Sequence, residues 1–164
     1  MQLNIIKEKI LSDESLHRKL AFWRFRDYRV VFTNGCFDIL HLGHIDYLAR
    51  ASELGDVLVV GLNTDKSVRA LKGPPRPLQD ETSRSLLLAS LSFVSAVVLF
   101  DEETPLELIR VVQPDVLVKG SDYRPEEIVG HDLVTGGGGT VETIDFVEGY
   151  STSAIIKKLS GYYG

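Results

Sequence analysis

Five short apolar runs recur along the chain, each separated from the next by a stretch with helical spacing, and this alternation most narrows the folds open to it. The runs are Val30 to Thr33, Val57 to Gly61, Ala96 to Phe100, Val116 to Lys119 and about Thr140 to Asp145. Val57 to Gly61 is continuously apolar, as in strands of a parallel sheet covered on both faces. Between them, Gly43 to Leu54, Thr64 to Leu71, Asp80 to Leu91, Thr104 to Val112 and Pro125 to about Val134 read as helices, and a last helix runs from Ser151 to Leu159. Pro105 stands at a favoured first-turn position. Repeated βαβ units with right-handed crossovers predict a doubly wound α/β fold, Rossmann-like, with a five-stranded parallel sheet.

Two stretches lie outside this rhythm. Met1 to Asp27 has helical but uneven spacing, with Ile5, Ile6 and Ile10 first, then Leu16, Leu20 and Trp23 behind a cap at Ser12 or Ser15. It predicts two short helices or one that bends. Residues 1–28 are thus expected as an N-terminal helical extension, covering a sheet edge or making a homodimer contact, ahead of a domain over 29–164. Lys72 to Leu78, KGPPRPL, breaks regular structure with three prolines and one glycine. The glycine run Gly136 to Gly139 has no charge inside it and precedes a strand, so it reads as a turn.

Charge and cysteine content exclude several functions. Eighteen basic against 23 acidic residues give a formal charge of −5, which argues against a general binder of nucleic acid or membrane surfaces. Met1 to Arg29 carries a net +3 and the remainder −8, so a basic flank adjoins an acidic body. Cys36 is the only cysteine, which rules out an intrachain disulfide and a Cys-rich zinc site. No segment approaches the roughly 20 apolar residues that span a bilayer, nor does the start of the chain read as a signal peptide. The expectation is a soluble, cytoplasmic protein.

In doubly wound sheets ligands bind beyond the C-terminal strand ends, where strand order reverses. The stretch VVFTNGCFDILHLGH, ending at His44, lies at such a place. A strand stops near Asn34 and Gly35, and His41 and His44 flank Gly43 where a helix begins. Unpaired N–H groups and the helix dipole face one point there, a natural phosphate site, to which two imidazoles add donors. The known phosphate loops are absent: Gly61 to Ser67, GLNTDKS, is one residue short of a P-loop and lacks the glycine before its lysine, and no GxGxxG follows the first strand. Three more clusters sit at strand ends or helix starts. Lys72 and Arg76 lie in the proline-broken loop. Lys119, Gly120, Ser121 and Asp122 follow the fourth strand, placed to hold a base, ribose or metal. Gly149 to Ser153, GYSTS, opens the last helix with three hydroxyls, of which one would suffice as a cap.

HLGH after a strand, KGxDY at Lys119 to Tyr123 and the GYSTS helix start together resemble the nucleotidyltransferase superfamily of cytidylyltransferase-like folds, marked by HxGH and an STT-like C-terminal motif. The resemblance runs from about Val30 to Leu159. Within it, VVFTNGCFDILHLGH, VRALKGPPRP, LFDEETPLELI, PDVLVKGSDY and VEGYSTSAIIKKL are similar to the adenylyltransferase domain of bifunctional ADP-heptose synthases. Two departures stand out. Related glycerol-3-phosphate cytidylyltransferases carry an arginine where Phe146 stands here, and the heptose enzymes are usually fused to a sugar kinase, which this chain has no room for. A separate kinase is therefore the expectation.

The resemblance implies transfer of AMP from ATP to a sugar 1-phosphate, D-glycero-β-D-manno-heptose 1-phosphate above all, giving ADP-heptose and pyrophosphate for lipopolysaccharide core precursors. A sugar phosphate is largely dianionic near neutrality, its second pKa being about 6, so the nucleophile needs no general base. His41, His44 and Lys72 are then expected as catalytic donors to the reacting phosphates. Asn34, Gly35, Cys36, Phe37, Gly43, Lys119, Gly120, Asp122, Gly149, Ser151, Thr152 and Ser153 are expected to bind nucleotide, and Asp38 and Arg76 the sugar phosphate. No protein metal site is expected, with Mg²⁺ carried by the nucleotide phosphates. Two readings stay open: a cytidylyltransferase acting on glycerol 3-phosphate or another phospho-alcohol, and a non-catalytic nucleotide-binding module.

Overall fold

The structure, a computed structural model, describes residues 1–163. Elements follow in the order α1 Gln2–Lys7, β1 Ile10–Leu11, α2 Asp13–Phe25, β2 Val30–Gly35, α3 Leu42–Ser52, β3 Val57–Asn63, α4 Asp65–Lys72, α5 Glu81–Ser90, β4 Ala96–Phe100, α6 Leu106–Val112, β5 Val116–Gly120, α7 His131–Gly136, β6 Thr140–Ile144 and α8 Thr152–Tyr163. The strands form one all-parallel sheet in the spatial order β1, β4, β3, β2, β5, β6. From β2 the chain winds outward through β3 and β4, then crosses back to β5 and β6 on the other side. The order therefore reverses at β2, which puts a crevice beyond its C-terminal end.

The period of two along each strand divides the core. Val30, Phe32, Val57, Val59 and Leu117 face a cluster with Leu16, Leu20 and Trp23 of α2 and Ile109 and Val112 of α6. Val31, Leu58, Val60, Leu62, Val116 and Val118 face the opposite cluster with Tyr47 and Leu48 of α3 and Leu88 and Ala89 of α5. Both faces are covered, which is why the strands read as continuous apolar runs. Side chains close the helix starts: Ser12, Thr64 and Asp80 accept from the N–H groups of Ser15, Ser67 and Ser83 at 3.3, 3.2 and 2.7 Å.

Two expectations need correction. The sheet has six strands, because Ile10 and Leu11 pair with Val97 and Val98 at the edge. Two residues are too few to show a period of two, and the helical spacing on either side hid them. The N-terminal segment, expected to be wholly helical, thus supplies an edge strand as well as side chains of one core cluster. The helix expected from Pro125 to Val134 is split into a 3-10 turn, Pro125–Glu127, and α7. Gly130 interrupts it with φ +92, and a Cβ there would stand 2.8 Å from Ile109 Cδ1. The glycine run closes α7 and turns the chain, with φ +87 at Gly138, and lies at the N-terminal end of β6, away from the crevice. Among the described residues no helix is long and apolar enough to cross a membrane.

Leu20 is 1% exposed. Replacing it with alanine should cost about 2 to 5 kcal/mol by lost burial and a cavity, read as a lower urea midpoint. An unchanged midpoint would show that residues 1–28 are not part of the cooperative fold.

Candidate active site

A cavity of about 480 Å³ opens beyond the C-terminal ends of β2, β3 and β5. Its wall is made by Asn34 to Asp38 after β2, His44 and Tyr47 of α3, Asn63 of β3, and Leu71, Lys72 and Arg76 around the end of α4. Lys119, Gly120, Asp122 and Tyr123 follow from β5, Phe146 from the end of β6, and Thr152 and Ser153 from the start of α8. Residues from seven segments thus converge on one volume, at the point where strand order reverses.

The turn after β2 is tightly built. Phe37 takes a left-handed conformation, φ +45, rare for a bulky residue. Its ring lies so close over Gly35 that a Cβ there would be 2.9 Å from Cε2. The ring also meets His44 edge-on, with centroids 5.2 Å apart. His41 is the N-cap of α3, its Nδ1 accepting from the His44 N–H at 3.4 Å, which leaves the proton of the neutral ring on Nε2. The two imidazoles stack with centroids 3.8 Å apart. Only His44 lines the cavity; His41 sits beside it, capping the helix and backing its partner. Gly43 sits in a crowded place, where a Cβ would stand 3.1 Å from the His41 ring and 3.3 Å from Tyr150 Cβ.

Burial, and then the neighbouring His41, push the His44 pKa down to about 4, against the pull of the Ile39 carbonyl. Burial lowers His41 as well. At neutral pH both are uncharged, so His44 acts through an N–H dipole. Its Nδ1 and the Asn34 Oδ1 are buried without a hydrogen-bond partner among the described residues.

Asp38, expected to bind the sugar phosphate, lines the cavity, and its carboxylate is engaged within the protein. It is 2% exposed. One oxygen accepts from the N–H groups of Leu78 and Gln79 at 2.8 and 3.0 Å, the other from Arg76 Nε at 2.7 Å. Burial alone would raise its pKa; the Gln79 and Leu78 N–H groups and Arg76 outweigh that and hold it below the usual carboxylate range. Asp38 is therefore an anchor, tying the proline-broken loop to the turn after β2. Lys72, the last residue of α4, and Arg76 are brought to the cavity by that tie.

Arg84 of α5 fastens the same region from behind. It is 0% exposed, and it donates to the carbonyls of Cys36, Asn63 and Gln79 at 2.7, 2.8 and 3.0 Å and to Asp65 at 2.7 Å. Nothing in the sequence singled it out. Cys36 lines the cavity, yet burial pushes its thiol up, against the pull of Lys72 and Arg84, so it is poorly suited to be a nucleophile.

On the far side, burial lowers Lys119 to about 8, against the pull of Asp122. Gly120 lies against the edge of the Phe146 ring; a Cβ would be 2.1 Å from Phe146 Cε2. The hydroxyls of the last helix divide their work. Ser151 caps α8, accepting from the Ala154 N–H at 3.0 Å, while Thr152 and Ser153 face the cavity. Gly149, with φ +82, shapes the turn before the helix and does not line the cavity. The sequence reading did not assign Tyr47, Asn63, Leu71, Tyr123 or Phe146 to the site, although Tyr123 ends the KGxDY motif and Phe146 stands near a family arginine position. Asn63 and Phe146 stand at strand C-terminal ends, where ligands of such sheets bind, and Tyr47 follows His44 by one helical turn; those positions were the available signal.

Chemically this is a site for polyanions. Lys72, Arg76 and Lys119 supply positive charge, and His44, Thr152 and Ser153 supply neutral donors. Asp122 is the one cavity carboxylate without a protein ion pair among the described residues. No group of three or more His, Cys, Asp or Glu side chains among them could hold a metal ion. A single carboxylate suits a cation that keeps waters and phosphate oxygens as its other ligands, as Mg²⁺ does.

Comparison with known proteins agrees with this architecture. Residues 32–158 match the family described as Cytidylyltransferase-like. The bifunctional protein HldE of Wolinella succinogenes is 54% identical over 155 residues, and that of Syntrophotalea carbinolica 56%; each match covers 94% of this chain and 32% of the relative. The chain thus spans about a third of the length of these relatives. Among solved structures, the lipopolysaccharide core biosynthesis protein of Thermoplasma volcanium is 33% identical, with a TM-score of 0.59 over 76% of this chain and 99% of that one. The pantoate-beta-alanine ligase of Francisella tularensis, 13% identical with a TM-score of 0.62 over 94% of this chain and 78% of that one, shares the fold. With the HxGH turn, the six-stranded sheet and a match over residues 32–158, the chain belongs to the cytidylyltransferase-like family of nucleotidyltransferases.

Proposed function

We propose that this chain is an adenylyltransferase that moves AMP from ATP to D-glycero-β-D-manno-heptose 1-phosphate, releasing pyrophosphate and forming ADP-heptose. The observation that carries the reading is the donor-rich, carboxylate-poor cavity at the reversal of strand order, bordered by His44, Lys72, Arg76, Lys119 and the start of α8. The relatives named HldE and the solved protein named for lipopolysaccharide core biosynthesis support the sugar acceptor. A sugar kinase must supply that acceptor.

The reaction needs alignment and charge stabilisation more than proton transfer. An oxygen of the dianionic sugar phosphate attacks the α-phosphorus of ATP, a new P–O–P bond forms, the bond to the β-phosphate oxygen breaks, and pyrophosphate leaves. No base is required. His44 donates to oxygens around the α-phosphorus, with His41 fixing its ring by stacking and capping. Lys72 and Arg76 draw the acceptor phosphate in from the α4–α5 side, and Thr152 and Ser153 with the α8 start hold the β- and γ-phosphates. A divalent cation such as Mg²⁺, held by the phosphates themselves, would neutralise part of their charge.

Pyrophosphate release with ATP, CTP and GTP, each against heptose 1-phosphate and glycerol 3-phosphate, tests the reading. ATP with the heptose should give the highest turnover; a preference for CTP with glycerol phosphate would replace this reading, and nucleotide binding without release would reduce the chain to a binding module. Removing one oxyanion-type donor with His44→Ala should lower kcat about 10²- to 10³-fold at unchanged melting temperature. Asp38→Asn should free the 73–79 loop. Amide exchange at Leu78 and Gln79 should quicken and kcat/KM fall about tenfold or more as Lys72 loses its place; wild-type exchange in the variant would dismiss the anchor. For pH, Lys119 is cationic below about 8 and loses its charge above it. kcat/KM for ATP should therefore fall as pH rises through about 8, and Lys119→Arg, always charged, should abolish that fall.

A further inference from the structure

We infer that Phe146 is the platform on which the adenine ring stacks, and that it sets the preference for a purine over a pyrimidine nucleotide; the inference rests on the adenylyltransferase reading above. The cavity has two unlike arms. On the α4–α5 side stand Lys72 and Arg76, cations for phosphate. On the β5–β6 side stand Phe146, Asp122 and Lys119, so the one cation there is offset by a neighbouring carboxylate and the arm carries no net positive charge for phosphate. Its carboxylate repels anions: Asp122 Oδ1 is 2.7 Å from the point a Gly120 Cβ would occupy, so it lies beside the Phe146 ring, which reaches within 2.1 Å of that point. With the triphosphate held between His44 and the α8 start, the nucleoside has this arm to occupy.

Phe146 is built as a platform there. One side of its ring is stacked on the buried Tyr47, with centroids 5.5 Å apart and planes inclined by 28°. Its edge rests on Gly120, where only the absence of a side chain makes room. Yet the residue stays 49% exposed on the wall of the cavity. A phenylalanine backed by Tyr47 and half-exposed on the cavity wall leaves apolar ring surface in water, which a planar base would cover. A larger, two-ring base overlaps it more than a single-ring one, and Asp122 is placed to accept from a ribose hydroxyl or an exocyclic amine.

The test compares binding of Mg-ATP, Mg-CTP and Mg-tripolyphosphate to the wild-type chain, Phe146→Leu and Phe146→Tyr by titration calorimetry. Leucine keeps apolar bulk and removes the π-face, and so guards against simple collapse of the site. Phe146→Leu should raise the Kd for ATP about tenfold, raise that for CTP less, and leave tripolyphosphate unchanged, while Phe146→Tyr should bind ATP as wild type does. The platform is overturned if ATP binds Phe146→Leu as tightly as wild type, or if ATP and tripolyphosphate weaken equally, which would mean the ring only holds the shape of the phosphate site. The wild-type pyrophosphate assay judges the reaction separately. A chain that releases no pyrophosphate from ATP yet shows the Phe146-dependent ATP affinity would sink the reaction and keep the platform.

Discussion

A single buried guanidinium holds the working end of the sheet together. Arg84 has no solvent exposure, and four segments end on its N–H groups: the turn after β2 at Cys36, the end of β3 at Asn63, the start of α4 at Asp65 and the loop before α5 at Gln79. A charge so buried would cost several kcal/mol if it were unmatched. Here one carboxylate balances it and the carbonyls of Cys36, Asn63 and Gln79 accept three more of its N–H groups. A lysine could not replace it, because only the planar fork presents enough fixed donors to reach four acceptors in different directions.

Asp38 repeats the logic with opposite sign. Its buried carboxylate gathers two backbone N–H groups and Arg76 from the loop after α4. Together the two residues use up acceptors and carboxylates around the cavity within the protein. Lys72 and Lys119, by contrast, have no carboxylate within ion-pair distance among the described residues. The result is a site whose remaining unmet demand is for negative charge. The helix ends work alongside: His41 and Ser151 spend themselves as caps, which aims His44, Thr152 and Ser153 at the same volume.

Much of the fold was legible because its physics is local. Continuous apolar runs such as Val57 to Gly61, all buried, can satisfy themselves only inside a two-sided sheet. Caps at Ser12, Thr64 and Asp80 start helices within a few residues of where the spacing placed them. What escaped was set by distant partners. Ile10 and Leu11 form a strand because β4 offers an unpaired edge, and the helix after β5 breaks at Gly130 because the chain must pass over Ile109.

The sequence by itself determined the alternation of strands and helices, the HxGH turn and the cluster of chemical groups at strand ends, since each depends on spacing along a few residues and on where a parallel sheet binds ligands. Tertiary structure decided how those groups share the work. It tied Asp38 to the 73–79 loop, made Ser151 a cap, set His44 in the wall and His41 behind it, and brought in Arg84, which no motif marks. The reason is physical: a side chain's role follows from which donors, acceptors and surfaces surround it, and the partners that decide it here lie far along the chain, 38 positions apart for the Asp38–Arg76 pair and 48 for the Arg84–Cys36 bond.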